Sequence, residues 1–188
     1  MVHDDIVTYS EGVKREADEI LKDTGLLDTL ATFGIPHVVG SYAMDLMYHP
    51  DIDVMVETSN PHSASVDALG VLVAGGCFEK IEYGDFVKFP RTHRPSGYIL
   101  VLKTKRNDVR WEIEVWFLTN TKREENDVSH ICALLTPESR RTILEFKQQM
   151  HERNISKQEI SSADIYHAVL ENNVTDFEKF ITMSHEIL

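Results

Sequence analysis

Asp51 and Asp53 stand one apolar residue apart at the head of an apolar run, Asp51-Ile52-Asp53-Val54-Met55-Val56. Residues i and i+2 of a strand point to the same face, so the two carboxylates converge while Ile52 points into the core. Like charges held side by side destabilise each other unless a cation lies between them, which makes the pair a candidate clamp for a divalent metal. Upstream, the short apolar stretch His37-Val38-Val39 ends at Gly40-Ser41. A Gly-Ser turn between strand and helix leaves backbone N–H groups for an anion such as phosphate. A phosphate cradle beside a metal clamp implies nucleotide chemistry.

Two-metal phosphoryl transfer ordinarily needs a further carboxylate. The run Trp111-Glu112-Ile113-Glu114-Val115-Trp116-Phe117-Leu118 offers two. Alternation places Trp111, Ile113, Val115 and Phe117 on one face and Glu112, Glu114, Trp116 and Leu118 on the other. Glu114 neighbours the apolar end of its face, so it is preferred as the site carboxylate, with Glu112 as the alternative. Lys88, Arg91, Arg94, Lys103 and Lys105 form a basic cluster around a loop-like Pro90–Gly97 segment, from which one cation is expected to reach a triphosphate tail. His37, His49 and His93 lack metal-ligand spacing. Cys77 and Cys132 read as buried thiols, and Tyr166 and His167 as a candidate wall of an acceptor pocket.

These residues need elements to hold them. Apolar spacing predicts a helix over residues 4–22 before Gly25, and a second over 26–33 stopped by Gly34-Ile35-Pro36. A strand over 37–39 then leads into a helix capped by Ser41 and running to Tyr48. Another strand covers 53–56, and a helix covers 65–73, closed by Gly75-Gly76. Strand-like runs follow at 78–89, 98–105 and 110–118. Beyond about residue 135 the pattern is helical: Thr136-Pro137 opens one helix, Ser162-Ala163-Asp164 another, and Thr175 caps the last, with Phe177, Phe180 and Ile181 on one side. The order implies an α+β fold, a mixed β-sheet with packed helices plus a C-terminal helical subdomain. The expected division is a catalytic domain over 1–135 and a helical subdomain over 136–188.

A chain of 188 residues with 42% hydrophobic content can bury a sizeable core. Its net charge of -12 argues against nucleic acid as the main partner and suits a small or cationic one. Two cysteines supply no disulfide framework. No apolar run approaches membrane-spanning length, and the first residues lack a signal-peptide core, so no membrane association and a cytoplasmic location are expected.

In their order, Val39-Gly40-Ser41, Asp51-Ile52-Asp53 and Ile113-Glu114-Val115 resemble the nucleotidyltransferase superfamily, whose fold is that of DNA polymerase beta. The likeness spans roughly residues 35 to 118. The small size resembles the antibiotic-type and minimal bacterial members. The third carboxylate, most often Asp in that superfamily, is Glu here. The resemblance implies an enzyme that transfers a nucleoside monophosphate, most simply AMP, from a nucleoside triphosphate to a hydroxyl of a small acceptor such as an antibiotic. It implies Asp51, Asp53 and Glu114 as catalytic residues and ligands of two Mg2+ ions, with Gly40 and Ser41 on the triphosphate. A homodimer is compatible with so small an enzyme. The alternative is a regulatory or antitoxin-type module of the same fold that binds or modifies a partner protein.

Overall fold

The structure is a computed structural model that describes residues 5–92, 94–156 and 159–187. Helix α1 (Ile6–Thr24) is capped by Asp5, whose side chain accepts from the Val7 N–H, and ends at Gly25 in the left-handed conformation. Helix α2 (Leu26–Ala31) leads to strand β1 (Ile35–Val39). A four-residue helix α3 (Gly40–Ala43) connects β1 to β2 (Asp51–Glu57), and α4 (Pro61–Gly75) follows. Strands β3 (Lys80–Asp85), β4 (Tyr98–Arg106) and β5 (Val109–Leu118) complete one sheet of order β1-β2-β5-β4-β3.

Only the β2–β5 pairing is parallel; the other three neighbours run antiparallel. The fold is therefore α+β with a mixed sheet, as the sequence implies. The back face of the sheet, with Ile52, Val54, Val56, Ile113, Val115 and Phe117, joins α1, α2 and α4 in the main core. The front face carries the acidic residues.

After β5 come α5 (Lys122–Leu134), α6 (Pro137–Glu152), α7 (Ser162–Tyr166), a π-helical turn (His167–Glu171) and α8 (Phe177–Ile187). A second apolar cluster forms where α6, α7 and α8 meet Met44 and Leu46, which belong to the α3–β2 connection. Phe146 sits at its centre, stacked on Phe180 at 5.3 Å between centroids and edge-on to Phe177 at 5.4 Å. Among the described residues, no helix is long and apolar enough to cross a membrane.

Several local expectations are corrected. The helix after Gly40 stops at Ala43, because Asp45 takes a positive φ of 56°, and Ser41 lies inside it rather than capping it. Strand β3 ends at Asp85, whose carboxylate accepts from the Val87 and Lys88 N–H groups and folds the chain into a turn. Asp176, not Thr175, caps α8 through the Lys179 N–H. Helix α5 is not anticipated by the sequence reading, which begins the C-terminal helices after residue 135; it buries no residue fully, and its apolar positions Val128 and Ile131, with Leu135 at its C-cap, are only partly covered. Cys77 and Cys132 are exposed, the first just past α4 and the second on α5.

Phe146→Ala should lower unfolding free energy by about 3–5 kcal/mol, the usual cost of emptying an aromatic core position. Phe89→Ala, at a side chain 65% exposed, should leave it nearly unchanged. Denaturant melts of the two variants provide the measurement.

Candidate active site

The parallel register of β2 and β5 sets Asp53 opposite Glu114 and Asp51 opposite Glu112. Paired residues share a sheet face, so four carboxylates line up on the front. Asp51, Asp53 and Glu114 line one cleft of about 260 Å3, together with Gly40 and Ser41. Glu114 is the more enclosed glutamate, with a side chain 20% exposed against 47% for Glu112. Glu112 lies towards β4, where Lys103 approaches it at 3.3 Å.

Gly40 makes the cradle and the carboxylates a single unit. Its φ is +64°, and a Cβ there would overlap the Asp53 carboxylate. Only glycine accommodates both the backbone turn and the close approach of Asp53. Helix α3 thus begins directly against the carboxylate.

Of the basic cluster seen in the sequence, Arg94 enters the cleft. Its guanidinium pairs with Glu114 at 2.7 Å, and Trp116 Nε1 donates to the same oxygen, Oε2, at 3.2 Å. A second cation, Lys147, arrives from α6 and is not anticipated by the sequence reading. It is 4% exposed, and its Nζ donates to the Leu46 carbonyl at 2.7 Å and to the Tyr166 hydroxyl at 2.8 Å. Its sequence signal is a lysine on the otherwise apolar stripe Ile143, Leu144, Phe146, Met150.

Tyr166 also lines the cleft. Burial, with the nearby Asp51 and Asp53 charges acting in the same direction, pushes its phenol well above the usual tyrosine range, against a smaller opposing hydrogen bond with Ser162. His49 borders the cleft and stacks edge-on against His151 at 5.6 Å. His37 faces Glu125 instead, at 3.6 Å. His93 lies outside the described residues.

A larger cavity of about 590 Å3 adjoins the cleft, sharing Gly40, Met44, Asp53 and Tyr166 with it. Its floor includes Met55, Val128 and Ile131, while Glu124, Asp127 and Glu171 mark its rim. His167, expected beside Tyr166, lines this cavity and pairs with Glu171 at 2.8 Å.

Among the described residues, no group of three or more His, Cys, Asp and Glu is arranged to hold a metal ion. The chemistry of the donors nonetheless fits Mg2+, a hard cation that takes carboxylate oxygens.

The sheet and its packed helices share their fold with solved nucleotidyltransferase structures. An RNA terminal U-transferase described as cytoplasmic is similar, with a TM-score of 0.57 and 17% identity over 88% of this chain and 53% of that one. A mutant of the Cid1 poly(U) polymerase bound to MgATP gives 0.58 at 16% identity, over 87% of this chain and 54% of that one. The polymerase core of TRAMP, an RNA surveillance complex, gives 0.53 at 18% identity, over 97% and 63%. This chain thus spans between half and two-thirds of the length of those proteins. No protein-family model and no curated protein matches the chain.

The raised Tyr166 pKa has a definite sign in stability. The native state keeps this proton where the unfolded chain loses it, near the ordinary value of 10.0, so stability should fall as pH rises past that point. Tyr166→Phe should flatten that alkaline decline, as followed by denaturant melts at stepped pH. An equally steep decline in the variant would contradict the assignment.

Proposed function

We propose that this protein transfers a nucleoside monophosphate, AMP, from a nucleoside triphosphate to an acceptor hydroxyl. The observation that carries this reading is the β2–β5 register, which sets Glu114 opposite Asp53 while Gly40 lies against the same Asp53. Asp51, Asp53 and Glu114 would hold two Mg2+ ions, which would supply charge neutralisation at the triphosphate and the attacking oxygen.

Gly40 and Ser41 cradle the β- and γ-phosphates, and Lys147 supports this by bringing a buried positive charge to the same wall. The acceptor oxygen forms a bond to the α-phosphorus as the bond to the β-phosphate breaks, and pyrophosphate leaves. Glu114 takes the hydroxyl proton, after the Arg94 guanidinium has released its carboxylate. The 590 Å3 cavity suits the nucleoside, because Asp53 borders it while Asp51 and Glu114 do not. Its rim carboxylates accept from an exocyclic amino group, which adenine, cytosine and guanine possess and uracil lacks.

Incubation with Mg2+ and each labelled triphosphate, with and without candidate acceptors, should release pyrophosphate from ATP in preference to UTP. Asp51→Asn with Asp53→Asn should abolish release; turnover that survives the pair refutes the site. Glu114→Gln should lose on the order of 100-fold to 10,000-fold, the range of general-base catalysis, with a much smaller loss for Glu112→Gln. A larger loss at Glu112 would reverse the choice of third carboxylate.

A further inference from the structure

A third cavity, of about 720 Å3, lies between α1 and the end of the β4–β5 hairpin. It shares no lining residue with the carboxylate cleft or with the 590 Å3 cavity. Tyr9, Val13, Pro50, Val109 and Trp111 give it apolar walls. Trp111 belongs to the main core on the back of the sheet, so this space is separated from the acidic front.

Two independent observations mark it as a place for a ligand. Among the described residues, two buried side-chain atoms lack a hydrogen-bond partner, Trp111 Nε1 and Arg106 Nε, and both belong to this hairpin. Trp111 is 2% exposed and lines the cavity. A buried N–H without an acceptor is costly, and native structures leave few of them. The second observation is Gly12, inside the 19-residue α1 and on the cavity wall. A Cβ there would meet only the Arg15 guanidinium, at 3.9 Å, so internal packing does not demand glycine. Glycine within a helix is unfavourable relative to alanine, and here its effect is to widen the space beside Arg15.

The charges around the cavity decide the ligand's chemistry. Asp5 pairs with Arg141 at 3.2 Å, and Glu19 pairs with Arg106. Glu16 accepts from Asn107 Nδ2 at 3.2 Å. Arg15 has no ion pair or hydrogen bond within the described residues. Each of the three acids is thus engaged, while a guanidinium and an indole N–H are not. The walls lack acceptors rather than donors. We propose that this cavity binds a small organic monocarboxylate, its aryl or alkyl body lying against Tyr9, Val13 and Trp111. The carboxylate pairs with Arg15 and brings an acceptor to the Trp111 indole. A single negative charge suits the site, because a second one would be repelled by Asp5, Glu16 and Glu19. The proposal concerns a site outside the cleft and does not depend on nucleotidyl transfer.

Calorimetry on the full chain tests it with 3-phenylpropionate, against 3-phenylpropylamine and 3-phenylpropyl phosphate. The carboxylate should bind with a Kd of about 10 mM or tighter, the weak limit of ligand efficiency for so small a molecule. The amine and the phosphate should bind more weakly than the carboxylate. Arg15→Gln should weaken carboxylate binding about tenfold, the loss of one charge-assisted hydrogen bond. Gly12→Leu should abolish binding by filling the cavity, while melting no lower than the parent protein. Binding should also change tryptophan fluorescence in Trp116→Phe, where Trp111 is the remaining reporter. Excess MgATP should leave the carboxylate affinity unchanged.

Absence of carboxylate binding up to about 10 mM overturns the proposal. Unaltered affinity in either Arg15→Gln or Gly12→Leu does the same, the first by removing the guanidinium from recognition and the second by placing the ligand elsewhere. Tighter binding of the amine would assign recognition to the acids instead of Arg15 and so refute the carboxylate. Displacement by MgATP, or a fluorescence response that is lost in Trp116→Phe, would move the ligand to the cleft. None of these results bears on whether the cleft transfers nucleotides.

Discussion

Collecting like charges on one sheet face is the constraint around which the rest of this structure is arranged. Asp51 and Asp53 of β2 stand directly beside Glu112 and Glu114 of β5, and hydrogen bonding of the strands leaves no freedom to move them apart. Their mutual repulsion is met by cations from outside those two strands. Arg94 is supplied by the β3–β4 connection, Lys103 by β4, and Lys147 enters the same cleft from α6. The C-terminal helices therefore contribute to the electrostatics of the cleft as well as to burial of apolar surface.

The same constraint explains why the core is divided. One face of the sheet is mainly apolar and is covered by α1, α2 and α4. The other is acidic near β2 and β5, so its apolar residues, Val39, Met55, Ile99, Trp116 and Leu118, form a separate small cluster beyond the carboxylates. Trp116 joins the two environments, packing against Phe86 while its indole N–H donates to Glu114.

Legibility in the sequence followed the range of the interactions. Gly40-Ser41 and Asp51-Ile52-Asp53 are local patterns, readable because turn chemistry and strand alternation act over a few residues. Glu114 was reachable because Trp116 and Leu118 betrayed an enclosed end to its face. Lys147 was not singled out, since its role depends on Leu46 and Tyr166, each distant in sequence. Helix α5 is hard to read because its apolar positions, Val128, Ile131 and the C-cap Leu135, are few and only half-buried within a charge-rich run. Total charge carries no position, and the pairing register is needed to place the cations of β3, β4 and β5 on one face.

The buried Lys147 has a consequence for the order in which the molecule is made. Domains tend to fold from the N-terminus as synthesis proceeds. The strands bearing Asp51, Asp53 and Glu114 emerge before α6 does, and Tyr166, which receives a Lys147 hydrogen bond, emerges later still. A nascent chain halted after β5 would carry the acidic face without its most deeply buried cation. Segments translated after β5 thus complete the surroundings of the carboxylates, and a product cut off there would hold the acidic face without them.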